Sequence, residues 1–80
     1  MTLDTRIVDA AARVFKVDPH EVAADLKIGE VSEWDSLGQL SLIMEIEAVF
    51  GTTFDGDQLI SLNSLAEIQR ELAHRNLLVN

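Results

Sequence analysis

Glu33-Trp34-Asp35-Ser36-Leu37-Gly38-Gln39-Leu40 is a polar turn that feeds directly into a helical pattern lasting to Phe50. At about 100° per residue, Leu42, Ile43, Ile46, Val49 and Phe50 fall on one broad face. Leu37, Leu40, Met44 and Ala48 fall roughly opposite. A surface helix needs only one apolar stripe to reach its own core. The second stripe asks for another explanation, and a serine stands at its head.

Working outward, Gly51 is the natural stop of this second helix, which spans about Ser36 to Phe50. Upstream, Leu3, Ile7, Ala11, Val14 and Phe15 keep the spacing of a buried helical stripe, predicting helix I from about Leu3 to Phe15. Thr2 is its expected cap, and Asp4 falls in the first turn, where the helix dipole favours an acid. Asp18-Pro19 breaks it, and Pro19 to Val22 can form one turn capped by Asp18. From there to Asp35 the expectation is a long ordered loop pinned by Leu26 and Ile28, with Gly29 as a turn. Downstream, Asp55 with Gln58 marks a capping box for a short helix III, about Gly56 to Ile60. Ser64 with Glu67 repeats it for helix IV, about Leu65 to Arg75, whose stripe is Leu65, Ile68 and Leu72. The tail from Asn76 to Asn80 is expected to fray. No segment reads as a strand. The fold class is all-α: a small four-helix bundle, three main helices plus a short helix III, in one domain over residues 1–80.

Composition narrows the chemistry. With no cysteine, neither a disulfide nor a thiolate metal site is available. No apolar run approaches the roughly 20 residues a bilayer requires, so a cytoplasmic protein is expected. The net charge of −8 is concentrated between residues 28 and 69, which hold eight acids and no Lys or Arg. Such a field repels nucleic acid and anionic membrane and favours basic partner surfaces. Acids spread over a small protein also simply keep it soluble.

Catalysis finds little support. His20 and His74 lie far apart in sequence, no zinc-ligand spacing occurs, and no glycine-rich phosphate loop is present. Asp55-Gly56-Asp57 lacks the downstream ligands of a calcium loop. Ser36 remains. Ser36-Leu37-Gly38-Gln39 has capping-box spacing, so the serine could be a cap alone. Asp35 is an equally good cap one residue earlier, which would leave the hydroxyl free at the helix's first turn. A phosphate esterified there would face the positive end of the dipole and unpaired N–H groups. No base is in view to make Ser36 a self-activating nucleophile.

Asp35-Ser36-Leu37 at the head of an amphipathic helix, the Leu42-Ile43-Met44-Glu45-Ile46-Glu47 run and Phe50-Gly51 together resemble the acyl carrier protein family, over essentially the whole chain. The resemblance implies that Ser36 carries 4′-phosphopantetheine, transferred from coenzyme A by a phosphopantetheinyl transferase. It implies a stand-alone, monomeric carrier, not an enzyme, that holds acyl groups as thioesters for fatty-acid, polyketide or related specialised biosynthesis. A peptidyl or aminoacyl carrier of nonribosomal-peptide type, or an unmodified helical interaction domain, is the alternative. On the carrier reading, Leu37, Leu40 and Met44 contact acyl-loading, synthase or transferase enzymes, with Asp35 and Glu47 pairing to their basic residues. Ile28, Leu42, Ile46, Phe50, Phe54, Leu59, Leu65 and Ile68 would line a core able to shelter an acyl chain. Neither nucleic acid nor membrane is an expected partner, and no metal is implied.

Two residues depart from the family pattern. Gly38 stands where fatty-acid carriers typically have an acid, and it disfavours helix by about 1 kcal/mol relative to Ala; a close approach of partner or cofactor would favour it. Trp34 reads either as a hydrophobic staple onto helix II or as a partner or cofactor contact. Both departures turn the expectation toward a dedicated carrier for a specialised pathway.

Overall fold

The computed structural model describes residues 2–78. Among them lie four helices and no strand: α1 (Thr5–Phe15), α2 (Ser36–Phe50), α3 (Gly56–Ser61) and α4 (Leu65–His74), with a 3₁₀ turn at Pro19–Glu21. None of these helices is long and apolar enough to cross a membrane. The bundle is the all-α architecture expected from the periodicities.

α1 begins later than its apolar spacing suggests. Its cap is Asp4, whose carboxylate accepts from the Arg6 amide, and not Thr2. The same carboxylate pairs with the Arg6 guanidinium at 3.1 Å, and that hydrogen bond holds Asp4 below the usual carboxylate range. Thr2 instead gives its carbonyl to Gln69 Nε2, while the Asp4 amide donates to Gln69 Oε1. A buried glutamine on α4 thus stitches down the residues before α1 and leaves them outside the helix.

The first loop is ordered as expected, and Leu26 is one of its pins, half-buried and packed against the core. Ile28 is 37% exposed and does not pin it. The loop is tied by backbone hydrogen bonds to the segment that leads into α4. Ile28 N–H donates to Asn63, Leu65 N–H to Leu26, and Ala66 N–H to Ala24, around an isolated bridge between Lys27 and Ser64. Gly29 makes the turn at φ +91°. The deep anchor is Trp34, fully buried and stacked on Phe15 with ring centroids 4.8 Å apart. Trp34 is therefore a core residue rather than a partner or cofactor contact. It occupies the staple position, yet what it meets at the matching place in α2 is the polar side chain of Gln39.

Around this anchor the core is continuous. Ile7 and Phe15 from α1, Leu42 and Ile46 from α2, and Leu65, Ile68 and Leu72 from α4 are all fully buried. α3 contributes no buried residue. It is held by the Asp55–Gln58 capping box at its start, by the Gln39 amide on the Leu59 and Leu62 carbonyls, and by Leu59 packing against the core. Residues 76–78 do not fray: Leu77 N–H donates to Leu72, and Leu77 and Leu78 pack against the core. Val79 and Asn80, also expected to fray, lie outside the described residues.

Candidate functional site

The site is built at the junction of the first loop and α2. Asp35 is extended (φ −110°, ψ −161°), and its Oδ1 accepts from the Gly38 amide at 2.9 Å. It is the cap. Ser36 is therefore the first helical residue, exposed, and among the described residues its hydroxyl has no hydrogen-bond partner. The amides of Ser36 and Leu37 precede the first intrahelical bond, which runs from Gln39 N–H to Asp35. An exposed hydroxyl thus stands beside free N–H groups at the positive end of a 15-residue helix.

Gly38 is explained by a close approach, but of the chain to itself. A Cβ at this position would collide with the Glu33 carbonyl oxygen. Only glycine lets the loop before Ser36 fold so tightly against the first turn of α2. Neither partner nor cofactor is needed to account for it.

The two stripes of α2 separate as the periodicity requires. Leu42, Ile43, Ile46 and Phe50 are buried, while Leu37, Leu40 and Met44 are exposed by 75%, 44% and 58%. Val49 sits at the margin of the buried face. The exposed stripe begins directly after Ser36. Of the acids expected beside it, Asp35 is exposed although one oxygen serves the cap. Glu47 is half-buried, and its Oε2 accepts from the Phe54 amide at 2.8 Å, so it is tied to the α2–α3 link.

A cleft of about 360 Å³ opens beside Ser36, with Ile28, Leu40, Leu59 and Ile60 as its apolar walls. Gln39 and Asn63 add polar groups. Of the eight residues expected around an acyl chain, only Ile28 and Leu59 line this cleft. Leu42, Ile46, Phe50, Leu65 and Ile68 belong to the packed core, and Phe54 lies against it. Sequence reasoning missed Gln39. Its signal was available: it precedes Leu42 and Ile43 by three and four residues, a polar side chain on the core face of a helix, which must find partners when buried. Ile60 and Asn63 carried no such signal.

The histidines do not join the site. His20 Nδ1 lies 2.8 Å from Asp18 Oδ1 at the exposed 3₁₀ turn, and His74 is exposed at the end of α4.

A family model described as a phosphopantetheine attachment site matches residues 5–72. No curated protein matches the chain closely enough to count as a relative.

Proposed function

The chain belongs to the phosphopantetheine attachment site family, and from that premise we propose that it carries acyl groups as thioesters on a 4′-phosphopantetheine arm esterified to Ser36. The domain of this family is the attachment site for that group, and such domains are carriers that interact with phosphopantetheinyl transferases and synthase enzymes. What supports Ser36 as the acceptor is one observation: Asp35 has taken over the capping role, so the serine hydroxyl is exposed and uncommitted at the head of α2.

The residues present fit the group. Free amides at Ser36 and Leu37 and the helix dipole favour a phosphodiester at this position, and the adjoining cleft offers apolar walls to what is attached. The cofactor's thiol supplies the thioester linkage that a chain without cysteine cannot form. The chain's own part is to hold the attachment point rigid and to present a face. The buried Trp34, the Asp35 cap and the close approach of Glu33 to Gly38 fix the turn that carries Ser36. Leu37, Leu40 and Met44 then offer an apolar docking stripe beginning at the attachment point. Asp35 adds an exposed charge for basic residues on acyl-loading, synthase or transferase partners. Glu47 contributes less, because the Phe54 amide already engages it. The setting this reading proposes is fatty-acid, polyketide or related specialised biosynthesis.

The test is an intact mass before and after incubation of unmodified protein with coenzyme A, magnesium and a broad-specificity phosphopantetheinyl transferase. Wild type should gain one phosphopantetheine and Ser36→Ala none. Because Ser36 is not the cap, Ser36→Ala should leave stability within about 0.5 kcal/mol of wild type. An unmodified wild type under conditions that modify a control carrier would leave a plain helical docking domain as the better account.

A further inference from the structure

Gln39 sits at the inner end of the cleft, 5% exposed, and its side-chain amide is held from three directions. Its Oε1 accepts from the Trp34 indole Nε1–H at 2.7 Å. Its Nε2 donates to the carbonyls of Leu59 at 3.0 Å and Leu62 at 2.8 Å. The orientation is unambiguous, because an indole N–H can only donate and a carbonyl can only accept. One amide therefore bolts α2 both to the anchor of the first loop and to the far end of α3.

Ser36 and Gln39 line the same cleft, and Gln39 is where that cleft meets the buried face of α2. The buried face of α2 continues from Gln39 to Leu42, Ile43 and Ile46, and the fully buried Trp34 stands beside it against Phe15. An alkyl tail entering between α2 and α3 would have to displace the Gln39 amide. It would then leave an indole N–H and two carbonyls without partners in apolar surroundings, and a hydrocarbon can replace none of those hydrogen bonds. A tail kept outside the core has only the open walls of the cleft to lie on, and the methylenes that reach beyond them stay in contact with water.

Resting on the carrier reading above, we infer that Gln39 determines what this protein can hold: it bars alkyl tails from the core, so the cargo is a short or polar acyl group carried outside the α2–α3 junction. Outside the core, Ile28, Leu40, Leu59 and Ile60 offer only an open cleft and not an enclosed chamber.

The experiment compares wild-type protein loaded enzymatically from coenzyme A, acetyl-coenzyme A and octanoyl-coenzyme A. Intact mass is read first. Failure to gain mass at Ser36 overturns the carrier reading and this inference with it. With loading verified, melting temperature and the ¹⁵N resonances of the Trp34 indole and the Gln39 side chain separate the two. Trp34 is the chain's one tryptophan, so its signal is unambiguous. The expected result is that octanoyl and acetyl forms melt together and neither resonance moves between them. A higher melting temperature for the octanoyl form, or a displaced indole or amide resonance, overturns the inference while leaving the carrier reading intact. In Gln39→Ala the same pair should diverge, the octanoyl form melting higher because the bolt is gone. A folded Gln39→Ala protein that still treats the two cargoes alike would remove Gln39 from the role. Should that variant fail to fold, the wild-type pair decides alone.

Discussion

Gly38 occupies a helical position where alanine is intrinsically better by about 1 kcal/mol, yet the Glu33 carbonyl stands where a Cβ would go. The obstacle is backbone, so it cannot swing aside as a long side chain could. Gly38→Ala should therefore destabilise despite its better helix propensity, by roughly 1–3 kcal/mol as for other overpacked sites. Its second effect should be local. Relief of the clash moves residues 33–35, the turn that sets Ser36, so phosphopantetheine transfer should slow at limiting protein concentration. Thermal melting and initial transfer rates check both parts. A Gly38→Ala protein that melts higher than wild type would mean the loop yields freely. The sequence exposed the anomaly at Gly38 but not its cause, because propensity is a local property and the carbonyl reaches the site through the fold of the loop. Trp34 was opaque for the same reason: staple spacing points to Gln39 as its neighbour on α2, but the Phe15 stack that buries the ring does not follow from spacing.

Among the elements, α3 depends most on others. It is six residues long, buries none of them, and forms one side of the cleft through Leu59 and Ile60. Its cap box was legible in Asp55 and Gln58. What could not be read is that Arg75, at the C-cap of α4, reaches across to hold the segment before it. The guanidinium donates to Thr52 Oγ1 and Gln58 Oε1, to the Thr53 carbonyl and to Glu71 Oε2, while lying 4.6 Å from the centre of the Phe54 ring. Lysine keeps the charge but loses the planar fork. Arg75→Lys should thus weaken the α2–α3 link by roughly 2 kcal/mol and accelerate amide exchange from Thr52 to Ser61, with the α1 core amides far less affected. The clamp also has a pH sign. The Arg75 hydrogen bond holds the Glu71 carboxyl below its ordinary 4.5. A depressed acid stabilises fully above its unfolded value and loses that contribution as pH falls through the folded one. Exchange protection of α3 should therefore be flat from neutral pH down to about 4.5 and decline only below it. Protection already falling near pH 6 would show that another group governs the clamp.

At the scale of the molecule, the four helices and their order were legible because α1, α2 and α4 carry their own apolar periods and α3 its capping box. The ties of the first loop were not, because they are backbone hydrogen bonds between residues 24–28 and 63–66, which side-chain pattern does not encode. Charge, by contrast, was legible in sequence and takes on meaning only in three dimensions. Eight acids and no bases lie between residues 28 and 69. The fold brings cations in from both ends, Arg13 onto Glu45 at 2.6 Å and Arg75 onto the α2–α3 link, yet a net charge of −8 remains on an 80-residue chain. Two consequences of opposite sign follow from one field. Within the protein, like charges repel, so added salt should screen that repulsion and raise the melting temperature. Between this protein and a basic partner, the same salt screens attraction, so docking should weaken, chiefly through a slower association rate. The screening length shortens from about 30 Å at 0.01 M to about 8 Å at 0.15 M ionic strength, and that interval is where both changes should be largest. Melting curves and transferase association rates measured across one salt series test the pair together. If the melting temperature fell with salt while docking also weakened, the acids would be serving the fold through ion pairs such as Arg13–Glu45, and the excess charge would not be what limits its stability.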